Sequence, residues 1–349
     1  MEFNHIEHKK PIYKIKAPLK EHLRLYSRLD DLPISYEDLT KYEELYPLED
    51  DKGVKTLWHM VMYNQENLSF LSDALVEVYQ KLVSEGDSNP YLKINRIDFC
   101  SFGNSKPFRI RVVNEINDNY DYFYVKQADS SRIYGLELEE IFSPDKVNYL
   151  VDKQTLIEEH IVGIPMDEFI LRNKGVAIEN RLRLAKEFVK FNERCFVRLL
   201  GDMRGYNFVL EITQDFDNVQ YRIRAMDFDQ QSFEGRKNIY KPQFYKDNLE
   251  LVELVQELMT DEVIQQYQRI EKVAMKKRYF ASRQRTRSLL RIMRKDKIST
   301  NENIETLRKE LSKHHNEPVF LNYNNMGDIL SRHLENTLSI DVLSRNIVK

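Results

Sequence analysis

The sequence predicts an α+β protein: a small antiparallel sheet, then a mainly helical lobe, with a helical module in front. Three observations carry this. From residue 93 to residue 161 apolar and polar side chains alternate, as where Phe108, Ile110 and Val112 are interleaved with Arg109 and Arg111, the period-two mark of half-buried strands. A break at Val162-Gly163-Ile164-Pro165 ends the pattern. Beyond it, apolar residues recur at three- and four-residue steps, the spacing of amphipathic helices. The expected divisions are 1–92, an arm and helical module; 93–162, the sheet lobe; and 163–349, the helical lobe with a helical extension.

Residues 1–30 are polar and basic and read as an arm. Ser35-Tyr36-Glu37-Asp38 opens a short helix, with Ser35 at the capping position. A helix is expected over 57–85, where Leu68, Leu71, Leu75, Val78 and Leu82 share one face, and Gly86-Asp87-Ser88-Asn89-Pro90 stops it. Strands are expected at 93–102, 108–116 and 120–128, turned at Phe102-Gly103-Asn104-Ser105 and Asn117-Asp118-Asn119. Ser130-Ser131 caps a helix over 132–142, closed by Ser143-Pro144. Strands at 147–151 and 155–161 complete a five-stranded antiparallel meander with one helix after its third strand. Helices are expected at 166–173 and 179–196, the latter burying Leu182, Leu184, Ala185, Phe188, Val189 and Phe191. Two strands follow, 207–213 and 221–228, and then helices at 248–259, 261–297, 303–314 and 326–338.

At 349 residues the chain is long enough for two or three lobes, and 42% hydrophobic residues supply a core. A net charge of −3 gives no global argument for nucleic acid or membrane. Two cysteines, Cys100 and Cys195, build neither a disulfide framework nor a metal site, so a reducing, cytoplasmic setting is expected. The first residues lack the apolar core of a signal peptide, and no stretch approaches the roughly 18 apolar residues of a membrane span. The stretch 275–297 is dense in Lys and Arg, which suits either a solvated helix face or an anionic partner.

The chemistry gathers at two loops. Gly201-Asp202-Met203-Arg204-Gly205-Tyr206-Asn207 puts a carboxylate and a carboxamide five residues apart. Downstream, Asp227 and Asp229 straddle Phe228 at the end of a strand. A magnesium ion takes about six hard oxygen ligands and keeps some waters, so a carboxylate, a carboxamide and phosphate oxygens suffice to hold one.

In their order, these motifs resemble the protein-kinase-like superfamily, most closely its small-molecule branch of aminoglycoside and choline kinases. The resemblance covers about residues 94–260 and implies a bilobal fold that moves the γ-phosphate of ATP, with Mg²⁺, to a hydroxyl-bearing acceptor. Gly201–Asn207 resembles the catalytic loop: Asp202 stands where the family orients the acceptor hydroxyl, and Asn207 where it holds magnesium. Leu200 and Arg204 replace the two histidines usual there, and Arg204 is expected to neutralise transferring charge. Asp227 matches the metal-binding aspartate of the Asp-Phe-Gly motif, and Asp229, in place of the glycine, is expected at the metal beside it. Tyr124-Val125-Lys126 resembles the strand lysine that reaches the α- and β-phosphates. Its helix partner in the family is a glutamate; Glu137, Glu139 and Glu140 are available, Glu140 being favoured and Glu137 second. The phosphate loop is Gly103-Asn104-Ser105, with one glycine instead of three. Glu159, His160 and Ile161 resemble the segment whose backbone binds adenine. A non-catalytic, pseudokinase-type scaffold is the alternative, motivated by the reduced phosphate loop and the missing histidines. A protein kinase is a weaker third reading, because no Ala-Pro-Glu signature follows Asp229.

Overall fold

A computed structural model describes residues 10–50, 52–83, 89–173, 180–215 and 218–342. The expected stop at Gly86–Ser88, residues 1–9 of the arm and the start of the helix expected from Glu179 lie outside the described residues. The chain divides into two compact units: Met1–Ser130 with Val147–His160, and Ser131–Lys146 with Ile161–Lys349. The region read as a separate N-terminal module thus lies within the first unit.

The first unit opens with helix α1 (Ala17–Leu25), in the region read as an arm, and α2 (Tyr36–Leu39). Leu19 and Leu23 of α1 are fully buried. Asp38 closes the start of α2 by accepting the Ser35 N–H at 3.0 Å, half of a capping box. Strands β1 (Glu44–Glu49) and β2 (Lys55–Met62), helix α3 (Gln65–Val83), and strands β3 (Leu92–Cys100), β4 (Phe108–Asn114) and β5 (Tyr120–Gln127) follow. Helix α4 (Ser130–Phe142) then leads to β6 (Tyr149–Asp152) and β7 (Thr155–Glu159).

The expected five-stranded meander is corrected in two ways. The sheet has seven strands, in the order β1-β2-β3-β4-β5-β7-β6, so β7 and not β6 lies beside β5. The extra strands β1 and β2 come partly from residues read as helix. The helix starts only after Asn64, whose side chain accepts the Asn67 N–H at 2.9 Å and caps α3. One face of the sheet, with Ile97, Phe99, Phe108, Ile110, Phe123, Val125 and Ile157, packs into a core with Leu71, Leu75, Val78 and Leu82 of α3. The three- and four-residue spacing on α3 is what turns those four residues to one side.

The second unit takes α4 from Ser131 onward and begins again at β8 (Ile164–Pro165), α5 (Met166–Arg172) and α6 (Arg181–Arg198). Strands β9 (Phe208–Asp215) and β10 (Asn218–Ala225) make a three-stranded sheet with β8, in the order β10-β9-β8. Helices α7 (Leu249–Leu258), α8 (Asp261–Ala281), α9 (Arg283–Met293), α10 (Asn301–His315) and α11 (Met326–Leu338) complete it. The single helix expected over 261–297 is broken at Ser282, which ends α8 and precedes α9. Five of the ten basic residues over 275–297 have partners within the unit. Arg278 donates to the Phe142 carbonyl, Arg285 to Glu137, Arg287 to the Asp341 carbonyl and Lys276 to the Ser339 carbonyl, and Arg294 pairs with Asp328. Among the described residues no helix is long and apolar enough to cross a membrane.

Candidate active site

Helix α6 ends at Leu199, which takes left-handed backbone (φ 54°) and turns the chain into the Gly201–Asn207 loop. Asp202 is also left-handed (φ 56°), a conformation that aspartate tolerates better than most residues. The loop is fixed around it. The Asp202 N–H donates to Tyr245 Oη at 3.0 Å, and that hydroxyl donates to the Ile239 carbonyl at 2.9 Å. Asn207 Nδ2 donates to the Asp202 carbonyl at 2.7 Å and to its Oδ2 at 3.4 Å. The loop also packs closely on α5: a Cβ at Gly205 would come 3.1 Å from the Asp167 backbone nitrogen.

Arg204 Nε donates to Asp202 Oδ1 at 3.0 Å, and Nη1 lies 3.7 Å from Asp247. Burial raises the Asp202 carboxyl above its ordinary value; the hydrogen bond and charge of Arg204 oppose this, while Asp247 and Asp229 add to it. The group is therefore a better proton acceptor than a surface aspartate, yet has a cation beside it.

The second acidic stretch is tied to this loop through backbone. The Met226 and Asp227 N–H groups both donate to the Asn207 carbonyl, at 3.0 and 3.3 Å. Asp202, Asn207 and Asp227, 25 residues apart in sequence from first to last, thus form one cluster. The Asp227 side chain is one-third exposed, whereas Asp229 is nearly buried. Arg132 of α4 faces both: Nη1 donates to Asp227 Oδ1 at 2.7 Å and to Asp229 Oδ1 at 2.9 Å. Asn207 and Asp227 offer the hard oxygens that Mg²⁺ prefers. Among the described residues no group of three or more His, Cys, Asp or Glu is arranged for a metal, so a cation here needs further oxygens, such as those of a phosphate.

In the first unit, Lys126 Nζ donates to Glu158 Oε2 at 2.6 Å and sits 5.2 Å from the centre of the Tyr124 ring. Lys126 lies opposite Leu156 in the β5–β7 ladder, so Glu158, two residues on, shares its face. The carboxylate shown against this lysine is therefore a strand residue. The expected helix glutamates have other cations beside them: Arg285 holds Glu137 by two hydrogen bonds, of 2.6 and 3.0 Å, while Glu140 lies 3.2 Å from Lys146 and 3.6 Å from Arg285. Glu139 pairs with the buried Arg198. Next to Lys126, the Gln127 N–H donates to the Ser105 carbonyl at 3.3 Å, which brings the strand end to the Gly103-Asn104-Ser105 turn.

Of the expected adenine segment, Glu159 is anchored to Asn148. Its N–H donates to the Asn148 carbonyl at 3.0 Å, and Asn148 Nδ2 donates to Glu159 Oε2 at 2.9 Å. His160 Nδ1 lies 3.0 Å from Tyr124 Oη, and burial lowers its pKa. Ile161 is buried in the second unit.

Sequence reasoning missed Arg132, Glu158 and Tyr245. Glu158 had a signal in the alternation of Leu156 and Glu158 along an apolar strand. Arg132 and Tyr245 had none, since each meets its partner only through tertiary packing.

No family model matches the chain, and no curated protein matches it. Among solved structures it is similar to one described as the crystal structure of Rad53 kinase domain and SCD2, at 15% identity and a TM-score of 0.22. The match covers 44% of this chain and 60% of the other, less than two thirds of that structure's length. A likeness at that level carries no argument, and the site is read from its own residues.

Proposed function

We propose that this chain is a kinase-like phosphotransferase that moves the γ-phosphate of ATP to the hydroxyl of a small acceptor. The single observation that carries the reading is the gathering of Asp202, Asn207 and Asp227 into one cluster, joined by the Asn207 carbonyl and side-chain amide. Sheet, Lys126 strand, helix, catalytic loop and Asp-Phe-Asp turn follow one another in the order that the resemblance implies.

In this reading Lys126, beside the Gly103-Asn104-Ser105 turn, binds the α- and β-phosphates, and Glu158 holds the amine in place. Asn207 and Asp227 would hold Mg²⁺, which would offset phosphate charge. Asp202 accepts a hydrogen bond from the acceptor hydroxyl and takes its proton as the hydroxyl oxygen bonds to the γ-phosphorus. The bond from that phosphorus to the β,γ-bridging oxygen breaks, and ADP leaves. Arg204 keeps Asp202 oriented and stands beside the incoming charge. The short stretch from Gln230 to Asn248 before α7 favours a small acceptor over a protein one.

One observation favours the runner-up, a nucleotide-binding scaffold without turnover: the pairing of Arg132 with Asp227 at 2.7 Å. Asp202→Ala separates the two. ATP consumption in the presence of candidate hydroxyl acceptors is expected to fall at least 100-fold in this variant while ATP binding persists. Equal consumption in variant and wild type would rule out Asp202 as the base.

A further inference from the structure

Arg132 is held in place rather than merely placed near the acidic turn. Its side chain is 2% exposed, and its Nη1 reaches Asp227 Oδ1 at 2.7 Å and Asp229 Oδ1 at 2.9 Å. The helix that carries it is clamped to the same turn. Ser131 Oγ donates to the Gln231 carbonyl at 2.8 Å and lies 3.2 Å from that of Asp229. At Gly135 a Cβ would fall 2.9 Å from Phe228 Cβ, so helix and turn touch backbone to side chain. Glu137 and Glu139 tie the next turn of the helix to Arg285 and Arg198. A guanidinium keeps its proton at any physiological pH. The acidic turn therefore has a permanent, immobile positive charge built into it.

That charge changes what the site can hold. Asp227 Oδ1 accepts both from Arg132 and from the Asp229 N–H at 3.0 Å, which leaves Asp227 at most one oxygen to offer a metal. Asp229, facing Arg132, is its counter-ion. A second divalent cation against these carboxylates would have to sit next to the guanidinium, where like charge opposes it.

We propose that the site takes one divalent cation per nucleotide, with the Arg132 guanidinium standing in for a second. This rests on the phosphotransfer reading of Asn207 and Asp227.

The test is equilibrium dialysis with Mn²⁺ and a saturating, non-hydrolysable ATP analogue, counting both per chain and reading bound Mn²⁺ by electron paramagnetic resonance. Wild type is expected to retain one Mn²⁺ with one nucleotide, and Arg132→Lys likewise. Arg132→Met, which releases both carboxylates, is expected to retain two. Two Mn²⁺ per nucleotide in the wild type overturns the proposal and leaves the phosphotransfer reading standing, as does a single Mn²⁺ in folded Arg132→Met. Nucleotide bound without Mn²⁺ overturns the proposal in favour of the scaffold reading, and no bound nucleotide removes both. Should Arg132→Met not fold, the wild-type count decides.

Discussion

Lys126 and Glu158 lie on neighbouring strands of one sheet, and the lysine amine donates to the carboxylate at 2.6 Å with both side chains less than a tenth exposed. A buried ion pair contributes little net stability, but removing one partner strands the other charge in a poorly solvated place. Lys126→Met is therefore expected to cost about 3–5 kcal/mol of stability. Adding Glu158→Gln should return much of it, since no unpaired charge is then left. Urea unfolding of the two single variants and the double variant measures this. Neither variant containing Lys126→Met should recover ATP affinity, which separates the lysine's role toward phosphate from its role in the sheet.

Burial raises the Asp202 carboxyl above its ordinary value, and Arg204 limits the rise through its hydrogen bond and charge. In Arg204→Met the Asp202 pKa should rise further. The base is needed ionised, so activity is lost as pH falls through that pKa, and the acid limb of the kcat/KM profile should move to higher pH. An acid limb that stays in place in Arg204→Met would show that Asp202 is not the titrating group.

A separate pH dependence is expected from α10 and α11. His333 is fully buried, lies 2.8 Å from His315 and 3.0 Å from the Phe196 carbonyl, and has its pKa lowered to about 3, mainly by burial. His315, His314 and Lys241 add positive charge around it, while the carbonyl opposes them. A histidine depressed in the folded state stabilises the protein above its unfolded value, near 6.5, and the contribution is lost as pH falls from there toward 3. The loss is up to about 1.4 kcal/mol per pH unit for one group. Melting temperature against pH should therefore fall less steeply between pH 6 and 4 in His333→Gln than in wild type.

Where the sequence was legible, the signal was local. Asp202, Asn207 and Asp227 could be found because each sits in a short motif beside a strand or helix end. The longer helices α6, α7, α10 and α11 could be found because their apolar residues keep helical spacing. The strand Lys55–Met62 was hidden because only Val61 on it is buried, so its apolar residues mark no face. The partner that the structure shows for Lys126, Glu158, was marked only by the alternation of its strand. Glu137 and Glu140 are close in sequence and looked available. Arg285, which holds Glu137, lies 148 residues from it, and nothing in a linear reading connects the two. Arg132 against Asp227, 95 residues apart, is a relationship of the same kind.

The most direct measurement is thermal stabilisation by ATP with Mg²⁺, beside ATP with EDTA, in wild type and in Asp227→Ala. A ligand at 100 times its dissociation constant adds about 2.7 kcal/mol of stability, which a melting curve resolves. Because the Asp227 side chain is one-third exposed and Asp229 still pairs with the buried Arg132 at 2.9 Å, Asp227→Ala should fold. The expected result is a shift in wild type that needs Mg²⁺ and disappears in Asp227→Ala. An equal shift in both proteins, or none with any nucleotide in wild type, would contradict the assignment of Asp227 to a metal–nucleotide site.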